Sequence, residues 1–352
     1  MKQKRRGRLE SFVLFLATIV AVGAALILFF VYTGTGKRLT SKVVAGYLHG
    51  AVKYVGGEKK TPPDVYMGTE NPNLIPVEGE DEDEDEKDTG KEKECYHLLL
   101  LGEEALKGVP GKGRTDAILL ASIHVSQKKV VLTSILRDTY VEPEGVAPCK
   151  INAVYAKQGV QGLYRILYEK LGVWPDGYLK VGFDSFETII DMLGGAEVTL
   201  TQEEATYLNT HDYISKKEFR NVTAGTHVLN GNQVLGYCRV RYVPNYKGTK
   251  HDFGRTERQR MVIKNLFERY KEAGLTKWIK IAKDALGYIE TDISEATLEE
   301  LIYVAYDGKI ITVEQRQLPA KGTYESADKG KVTSTLVVDW EQNKAHFWEN
   351  LK

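Results

Sequence analysis

The pattern of apolar and polar positions begins with an uncharged segment, continues through an acidic stretch and ends in a long region of strand and helix patterns. Residues 12–32 carry no charge and are almost entirely apolar. At about 1.5 Å per residue, a helix of this length spans about 30 Å, the thickness of a bilayer core. The pattern therefore predicts one N-terminal transmembrane helix.

Basic residues precede this segment, and they are Lys2, Lys4, Arg5, Arg6 and Arg8. The positive-inside rule then places the tip at residues 1–11 in the cytoplasm and everything after residue 32 outside it. A cleaved signal peptide is the alternative, but its apolar core is about 7–15 residues long and ends in a small-residue cleavage site. We see no such site after residue 32, so we expect a single-pass protein of the cell membrane.

Residues 78–94 hold eleven acids and three lysines, so this stretch has a net charge of −8 in a chain whose formal charge is zero. Such a run repels itself and buries no apolar surface, which predicts an extended linker. A calcium site is the alternative, but neither a glycine turn nor ligand spacing supports it. We predict that residues 33–94 form a juxtamembrane segment and linker, and that residues 95–352 form the extracytoplasmic domain.

Strand and helix patterns are mixed along the rest of the chain. Short apolar runs bounded by turns predict strands at 96–101, 117–123, 129–135, 196–200, 309–313 and 334–338, the second and third forming a hairpin. Helical spacing of apolar residues predicts helices at 162–171, 185–193, 255–273, 277–286 and 296–306. This mixture indicates an α/β or α+β sandwich with a central mixed sheet.

The three cysteines, Cys95, Cys149 and Cys238, are too few for a disulfide framework. A bridge between Cys149 and Cys238 and three free buried thiols both remain open. No C-x-x-C or histidine-rich spacing indicates a zinc site.

A cluster of arginines late in the chain is the strongest chemical signal. Guanidinium groups are permanently charged planar forks that hold phosphate in two-point contacts, so several together indicate a polyanionic substrate, with pyrophosphate the simplest candidate. The alternative is a solvated, salt-bridged helix end. Within 21 positions the cluster contains Arg239, Arg241, Asp252, Arg255, Arg258 and Gln259.

Further polar residues follow the predicted strands. Glu104 and Asp116 bracket one loop, and two carboxylates together with phosphate oxygens suit magnesium or manganese. A solvated loop acid and a strand cap are the respective alternatives. Arg137-Asp138 ends the third strand, where an internal ion pair is the alternative, and Lys150 and Asn152 come next as candidates for substrate binding.

Together these motifs resemble the LytR-CpsA-Psr family of bacterial cell-envelope proteins over residues 95 to about 352. Because the motifs occur in order along the chain, the resemblance is specific. They are L-L-L-G ending at 102, G-R-T-D-A-I-L-L at 113–120, S-I-L-R-D-T-Y-V at 134–141, K-I-N-A-V-Y-A at 150–156, D-M-L-G-G-A-E-V at 191–198, G-T-H-V-L-N-G at 225–231, Y-C-R-V-R at 237–241 and D-F-G-R-T-E-R-Q at 252–259.

The resemblance implies an anchored phosphotransferase with an α/β/α sandwich fold. Such proteins move an anionic glycopolymer, of teichoic acid or capsule type, from an undecaprenyl-pyrophosphate carrier to peptidoglycan. The pyrophosphate would be held by Arg114, Arg137, Arg239, Arg241 and Arg255, supported by Asp252 and Gln259. Magnesium would lie on two acids, one of them Asp116. A nucleic acid is not expected as a partner, because the basic residues follow a membrane anchor.

The chain departs from the family pattern in three places. Glu104 stands where the family usually has Asp, which adds a methylene to the expected metal ligand. Leu136 replaces a proline before the Arg137-Asp138 pair. Residues 244–250 lengthen the loop between Arg241 and Asp252.

The resemblance also implies an apolar pocket for the polyprenyl chain, because each CH₂ left in water costs about 0.8 kcal/mol. The apolar segments 117–123, 183–193 and 261–267 are the candidates for its walls, and a filled core is the alternative. Asp138 is the candidate base. Two other functions remain open: a phosphatase acting on the same lipid with water as acceptor, and a non-catalytic regulator of envelope assembly.

Overall fold

The computed structural model describes residues 33–55, 93–104, 113–270, 275–308, 312–349 and 351. The predicted transmembrane helix at 12–32 and the acidic run at 80–86 lie outside the described residues. Among the helices that are described, none is both long and apolar enough to cross a bilayer.

Seven strands of the described residues form one mixed sheet. Strands β2 (Cys95–Glu104), β3 (Arg114–His124) and β4 (Lys129–Ile135) are antiparallel neighbours, whereas β7 (Gly177–Gly182) runs parallel to β2 and β11 (Thr312–Leu318) runs parallel to β4. The central mixed sheet predicted from the sequence is therefore confirmed. In spatial order the strands are β1 (Lys53–Tyr54), β10 (Glu290–Thr291), β7 (Gly177–Gly182), β2 (Cys95–Glu104), β3 (Arg114–His124), β4 (Lys129–Ile135) and β11 (Thr312–Leu318). Outside this sheet, β5 (Tyr140–Val141) pairs with β6 (Cys149–Lys150).

Helices cover both faces of this sheet. In chain order they are α1 (Gly34–His49), α2 (Val154–Leu171), α3 (Phe183–Met192), α4 (Gln202–Thr210), α5 (Gly231–Arg239), α6 (His251–Tyr270), α7 (Leu275–Leu286), α8 (Glu295–Gly308) and α9 (Trp340–Glu349).

Successive side chains of the central strands enter two different cores, as the pleat of a strand requires. On β2, Leu99 packs in a cluster with residues of α2 and α9, whereas its neighbour Leu98 packs in a second cluster with residues of α6 and α8. The fold is thus an α/β/α sandwich. Beside the second face, a third apolar cluster is built by α3, α4, α5, α6 and strand β8 (Ala196–Leu200).

Two predicted strands lie outside the central sheet. Strand β8 has the predicted bounds but pairs with β9 (Gly225–Leu229), and the strand predicted at 334–338 belongs to β13 (Val332–Val338), which pairs with β12 (Tyr324–Lys329). The strand predicted at 309–313 is displaced, because β11 begins at Thr312 and runs to Leu318. Local apolar patterns mark these strands but carry no information about their partners.

The predicted boundary at residue 95 does not separate residues 34–54 from the domain. Helix α1 packs against α8, where Lys37 Nζ lies 2.6 Å from Asp307 Oδ1 and Arg38 pairs with Glu300. Strand β1 pairs in parallel with β10 at the edge of the sheet. These residues are therefore part of the folded unit.

Candidate functional site

A cavity of about 430 Å³ lies between the second face of the sheet and helices α3, α5 and α6. All three segments predicted as its walls contribute, for example through Leu119, Phe186 and Val262. The expected apolar cavity is confirmed, and a completely filled core is excluded. Apolar residues that the prediction missed also line it, and they are Leu100, Leu101, Leu179, Val181, Leu235 and Ile289.

Seven of the thirteen predicted site residues line this same cavity. The polar lining therefore adjoins the apolar walls in one space. These seven are Glu104, Asp116, Arg137, Arg239, Arg241, Arg255 and Gln259.

A β-bulge brings Asp116 into the cavity. The register between β2 and β3 pairs Gly102 with Ala117 but Glu103 with Thr115, which leaves Asp116 as the extra residue. Asp116 and Ala117 both line the cavity although they are consecutive. A regular strand would turn one of them to the opposite face, so the bulge re-aims the carboxylate.

Arg137 follows Leu136 just after the end of β4 and bridges two acids. Its Nη1 donates to Asp116 Oδ1 at 2.8 Å, and its Nε donates to Asp252 Oδ2 at 3.2 Å. These contacts fix the plane of the guanidinium, because both bonds require it to lie between the two carboxylates.

Asp252 is the acid on which the arginines converge. Its Oδ1 lies 2.8 Å from Arg241 Nε and 3.5 Å from Arg255 Nη2, and its side chain is only 10% exposed. Asp252, Arg255 and Gln259 follow one another at i, i+3 and i+7 along α6, so they share a face of the helix. One buried carboxylate thus holds three guanidinium groups in place.

Arg239 is the last residue of α5 and reaches the cavity from the opposite side. Its Nη2 lies 3.4 Å from Glu104 Oε1, and its Cζ lies 4.9 Å from the centre of the Phe183 ring. The Tyr213 ring, which also lines the cavity, is 6.0 Å away. Aromatic faces attract guanidinium groups, so these rings position the arginine without neutralising it.

The carboxyl groups form two hydrogen-bonded pairs, Glu104 with Asp116 and Asp138 with Asp252. Burial and the neighbouring carboxyl raise the pKa of Glu104 and that of Asp252. Burial also acts to raise the pKa of Asp116, but Arg137 outweighs it, and the net shift is downward. The pKa of Asp138 is likewise lowered against the effect of burial, by hydrogen bonds from Asp252 and Lys150.

Three polar atoms on the cavity wall are buried without a hydrogen-bond partner among the described residues, namely Nε of Arg241, Nε of Arg255 and Oε1 of Gln259. Buried polar atoms are nearly always paired in folded proteins. Because all three residues line the cavity, these atoms are suited to a polar ligand.

Three predicted site residues lie behind the cavity lining, and they are Asp138, Lys150 and Asn152. Asp138 accepts a hydrogen bond from Lys150 Nζ at 2.7 Å and is also hydrogen-bonded to Asp252. Asn152 Nδ2 lies 3.4 Å from Asp116 Oδ1. Since Asp138 does not line the cavity, its position favours holding Asp252 and Lys150 rather than meeting a ligand.

The structure does not bring Arg114 or Arg258 to the cavity. Arg114 is exposed at the start of β3. Arg258 is fully buried, and its guanidinium donates to Glu204 Oε1 and to the carbonyls of Val240 and Val243. All of its nitrogens are occupied, so Arg258 holds the chain after α5 and is not positioned to bind substrate.

The loop at 244–250 is tied to α6. Asn245 is buried; its Oδ1 accepts from the backbone of Lys247 and Thr249, and its Nδ2 donates to Glu257 Oε2 at 2.6 Å. The backbone nitrogen of His251 donates to the carbonyl of Arg241 at 2.7 Å. The loop therefore fixes the position of the backbone at Arg241.

The cysteines are all free, so the possible bridge between Cys149 and Cys238 is not formed. Cys238 lines the cavity, and burial raises the pKa of its thiol to about 12. The thiol is therefore protonated at neutral pH.

No group of three or more metal-binding side chains occurs in the described part of the chain. Glu104 and Asp116 are nevertheless a carboxyl pair in direct contact on the cavity wall. Magnesium is commonly held by one or two carboxylates, with water and substrate phosphate as its other ligands. The pair fits such an ion bound together with a phosphate ligand.

Comparison with known proteins gives a consistent result. The model of the LytR_cpsA_psr family matches residues 72–347. The regulatory protein MsrR of Staphylococcus aureus is 31% identical over 253 residues, covering 70% of this chain and 71% of MsrR.

Relatives with solved structures share the fold. The polyisoprenyl-teichoic acid–peptidoglycan teichoic acid transferase TagV of Bacillus subtilis is 29% identical over 226 residues, covering 62% of this chain and 56% of that protein. Its crystal structure aligns with a TM-score of 0.55 over 74% of this chain and 98% of that one, at 28% identity. The structure of TagT bound to LIIa-WTA aligns with a TM-score of 0.57 over 74% and 90% of the two chains, at 23% identity.

Proposed function

Because this chain belongs to the LytR_cpsA_psr family, we propose that it is a phosphotransferase that attaches an anionic cell-wall glycopolymer to peptidoglycan. The donor is an undecaprenyl-pyrophosphate-linked polymer of teichoic acid or capsule type. One observation carries the proposal: the apolar walls of the cavity and four arginines belong to the same lining. A ligand that fills it must combine a hydrocarbon chain with a polyanionic head, as a polyprenyl pyrophosphate does.

The arginines supply the electrostatic part of the reaction. Charge develops on the phosphoryl oxygens as the pyrophosphate bond breaks, and positioned cations stabilise it with little reorganisation. Arg137, Arg241 and Arg255 are held by Asp252 before any ligand arrives. This arrangement supports catalysis through preorganised charge.

A divalent ion, magnesium or manganese, completes the proposed site on Glu104 and Asp116. The four arginines of the lining face four carboxyl groups, those of Glu104, Asp116, Asp138 and Asp252. A pyrophosphate bound beside these carboxyl groups would add further negative charge to the site. When bound, the ion would offset that charge on the phosphate oxygens.

The proposed reaction balances without a nucleotide. A peptidoglycan hydroxyl attacks the phosphorus that carries the glycan, a new O–P bond forms, and the bond to the bridging oxygen breaks. Polyprenyl phosphate leaves, and in the net reaction it takes the hydroxyl proton. The retained phosphorus becomes the phosphodiester that joins glycopolymer and peptidoglycan.

The location proposed for this reaction is the outer face of the cell membrane. Residues 12–32 would anchor the chain with its N-terminus in the cytoplasm. The domain would then meet both the lipid-linked donor and peptidoglycan outside the cell, where nucleotide substrates are not needed.

A non-catalytic regulator is the second candidate, favoured by the description of the staphylococcal relative as a regulatory protein. A phosphatase would use the same residues with water as acceptor. To separate the three, the full-length protein is incubated with a polyprenyl-pyrophosphate-linked glycan and magnesium, with or without peptidoglycan, and release of polyprenyl phosphate is measured. A transferase requires peptidoglycan for release, a phosphatase does not, and a regulator releases none.

A further inference from the structure

Helix α1 turns an apolar face outward. Leu39, Val43 and Tyr47 are 46%, 73% and 51% exposed, and their spacing of four residues places them in one stripe along the helix. The opposite face is buried against α8 through residues such as Val44 and Leu48. The helix is thus apolar on both sides, which is unusual for the surface of a domain.

Most charged residues of α1 lie away from the exposed apolar stripe. Lys37 and Arg38 are directed toward the acids Asp307 and Glu300 of α8. Among the exposed residues from 39 to 47, the single charged one is Lys42. An exposed apolar surface of this kind marks a contact with another apolar phase rather than with water.

The position of α1 directly after residues 12–32 indicates which apolar phase the exposed stripe contacts. The uncharged residues 12–32 end immediately before Thr33, the N-cap of α1, whose Oγ1 accepts from the backbone nitrogen of Gly36 at 3.0 Å. Thr33 has extended backbone angles of φ −96° and ψ 145°, so a helix that precedes it cannot run straight on into α1. The apolar stripe therefore begins within a few residues of the proposed anchor, on a helix whose N-terminus is capped by Thr33.

We propose that the exposed stripe of α1 docks on the outer surface of the lipid bilayer as an interfacial helix. This inference rests on the membrane anchor of the proposed function. Interfacial helices bury an apolar face about 5–10 Å into the headgroup boundary, with basic residues at its edge. The ammonium of Lys283 from α7 lies 4.9 Å from the centre of the Tyr47 ring, which adds a second basic group beside Lys42.

Docking through α1 also explains where the cavity would meet its lipid. Exposed Tyr54 of β1 lies beside the C-terminal end of α1, its ring centre 4.7 Å from that of His49. Strand β1 pairs with β10, which begins directly after the cavity residue Ile289. The docked helix thus holds this end of the cavity on the same side of the domain as the bilayer.

The experiment uses the full-length protein in vesicles of phosphatidylglycerol and phosphatidylcholine that contain lipid brominated near the headgroup end of the acyl chain. Tryptophan is introduced by Val43→Trp, and in a matched control by Val228→Trp, another exposed valine on strand β9. Fluorescence is compared with that of the unmodified protein, and flotation reports binding to the vesicles. No substrate is present, so the result is independent of transferase activity.

We expect bromolipid to quench the tryptophan added at position 43 and to leave the one at 228 unchanged. A protein that floats with the vesicles without quenching at 43 overturns the proposal, and a crosslinked dimer through Val43→Cys would then identify a second copy as the occupant. A protein that does not float overturns the anchor and this proposal with it. Quenching at position 43 in a protein that shows no transfer in a separate assay with donor lipid and peptidoglycan would instead contradict the proposed function alone.

Discussion

Oδ1 of Asp252 lies 2.8 Å from Nε of Arg241, and the same carboxylate also faces Arg137 and Arg255. Its side chain is also hydrogen-bonded to Asp138. A single acid at the start of α6 therefore organises arginines that come from the end of β4, the chain after α5 and α6 itself. This arrangement concentrates positive charge at the cavity without leaving the guanidinium groups free to move.

Arg241→Ala should abolish most turnover while leaving the fold intact. Asp252 keeps two other arginine partners, so the substitution does not leave a buried charge unpaired. We expect a loss of about 2–5 kcal/mol of transition-state stabilisation, as for other close charge pairs. The ratio kcat/KM measures it, with Arg165→Ala on the exposed side of α2 as the matched control. Unchanged kcat/KM in the Arg241 variant would remove this residue from the site.

Arg258→Met should instead act on stability. Arg258 and Glu204 are both completely buried and 2.7 Å apart, so the substitution leaves the buried Glu204 carboxyl without its guanidinium partner. The cost is about 3–5 kcal/mol of unfolding free energy. Thermal or denaturant unfolding of Arg258→Met and of the double variant Arg258→Met, Glu204→Gln measures it, and the double variant should recover part of the loss. A variant of normal stability but weakened donor binding would show that Arg258 contacts substrate after all.

Glu257→Gln should destabilise the protein in a pH-dependent manner. Burial raises the pKa of Glu257, but hydrogen bonds from Lys247 and Asn245 outweigh this and hold it below the ordinary value of 4.5. A carboxyl with a lowered folded pKa stabilises above its unfolded pKa, and this stabilisation is lost as the pH falls through the folded pKa.

The difference in unfolding free energy between wild type and Glu257→Gln should thus be about 1–3 kcal/mol at neutral pH and should shrink below pH 4.5. Glu325→Gln, at an exposed position of β12, serves as the control. A difference that stays constant from neutral to acid pH would show that the ionised carboxylate does not hold the loop.

The magnesium dependence of turnover should be lost in Asp116→Asn but kept in Glu104→Asp. Asp116→Asn removes a carboxylate that the bulge directs into the cavity, so magnesium should no longer stimulate turnover or raise the melting temperature in the presence of donor lipid. Glu104→Asp keeps the charge, so it should retain the magnesium response. Full turnover of the unmodified protein in a chelator would contradict the metal proposal.

Local patterns predict much of the fold. The strand predicted at 129–135 has the bounds of β4, and the helices predicted at 185–193 and 277–286 lie within two residues of α3 and α7. Each of these elements is predictable because the apolar spacing that specifies it lies within its own residues. Strand β7 was missed because Lys180 interrupts a short apolar run, although Gly177 and Gly182 bracket an alternating pattern. Helix α5 was missed as well, yet the capping box of Asn230 and Gln233 was present in the sequence.

The sequence predicts which types of residue form the site. It does not predict which of them line the cavity and which support the surrounding structure. Permanently charged arginines near one another indicate phosphate binding, and four of them line the cavity. Arg258 belongs to the same sequence cluster, but its guanidinium is buried against Glu204 and the carbonyls of Val240 and Val243 and does not line the cavity. The bulge at Asp116 depends on the register of two strands, which no local pattern specifies.

The most direct test of the transferase proposal is the mass of its product. Full-length protein, polyprenyl-pyrophosphate-linked glycan, peptidoglycan and magnesium are incubated, the wall material is digested with a muramidase, and the fragments are analysed by mass spectrometry, with Arg241→Ala in parallel. We predict a peptidoglycan fragment that carries the glycan through one phosphodiester, at a strongly reduced yield in the variant. Release of the glycan with no such linked fragment, at equal donor consumption, would contradict the transferase.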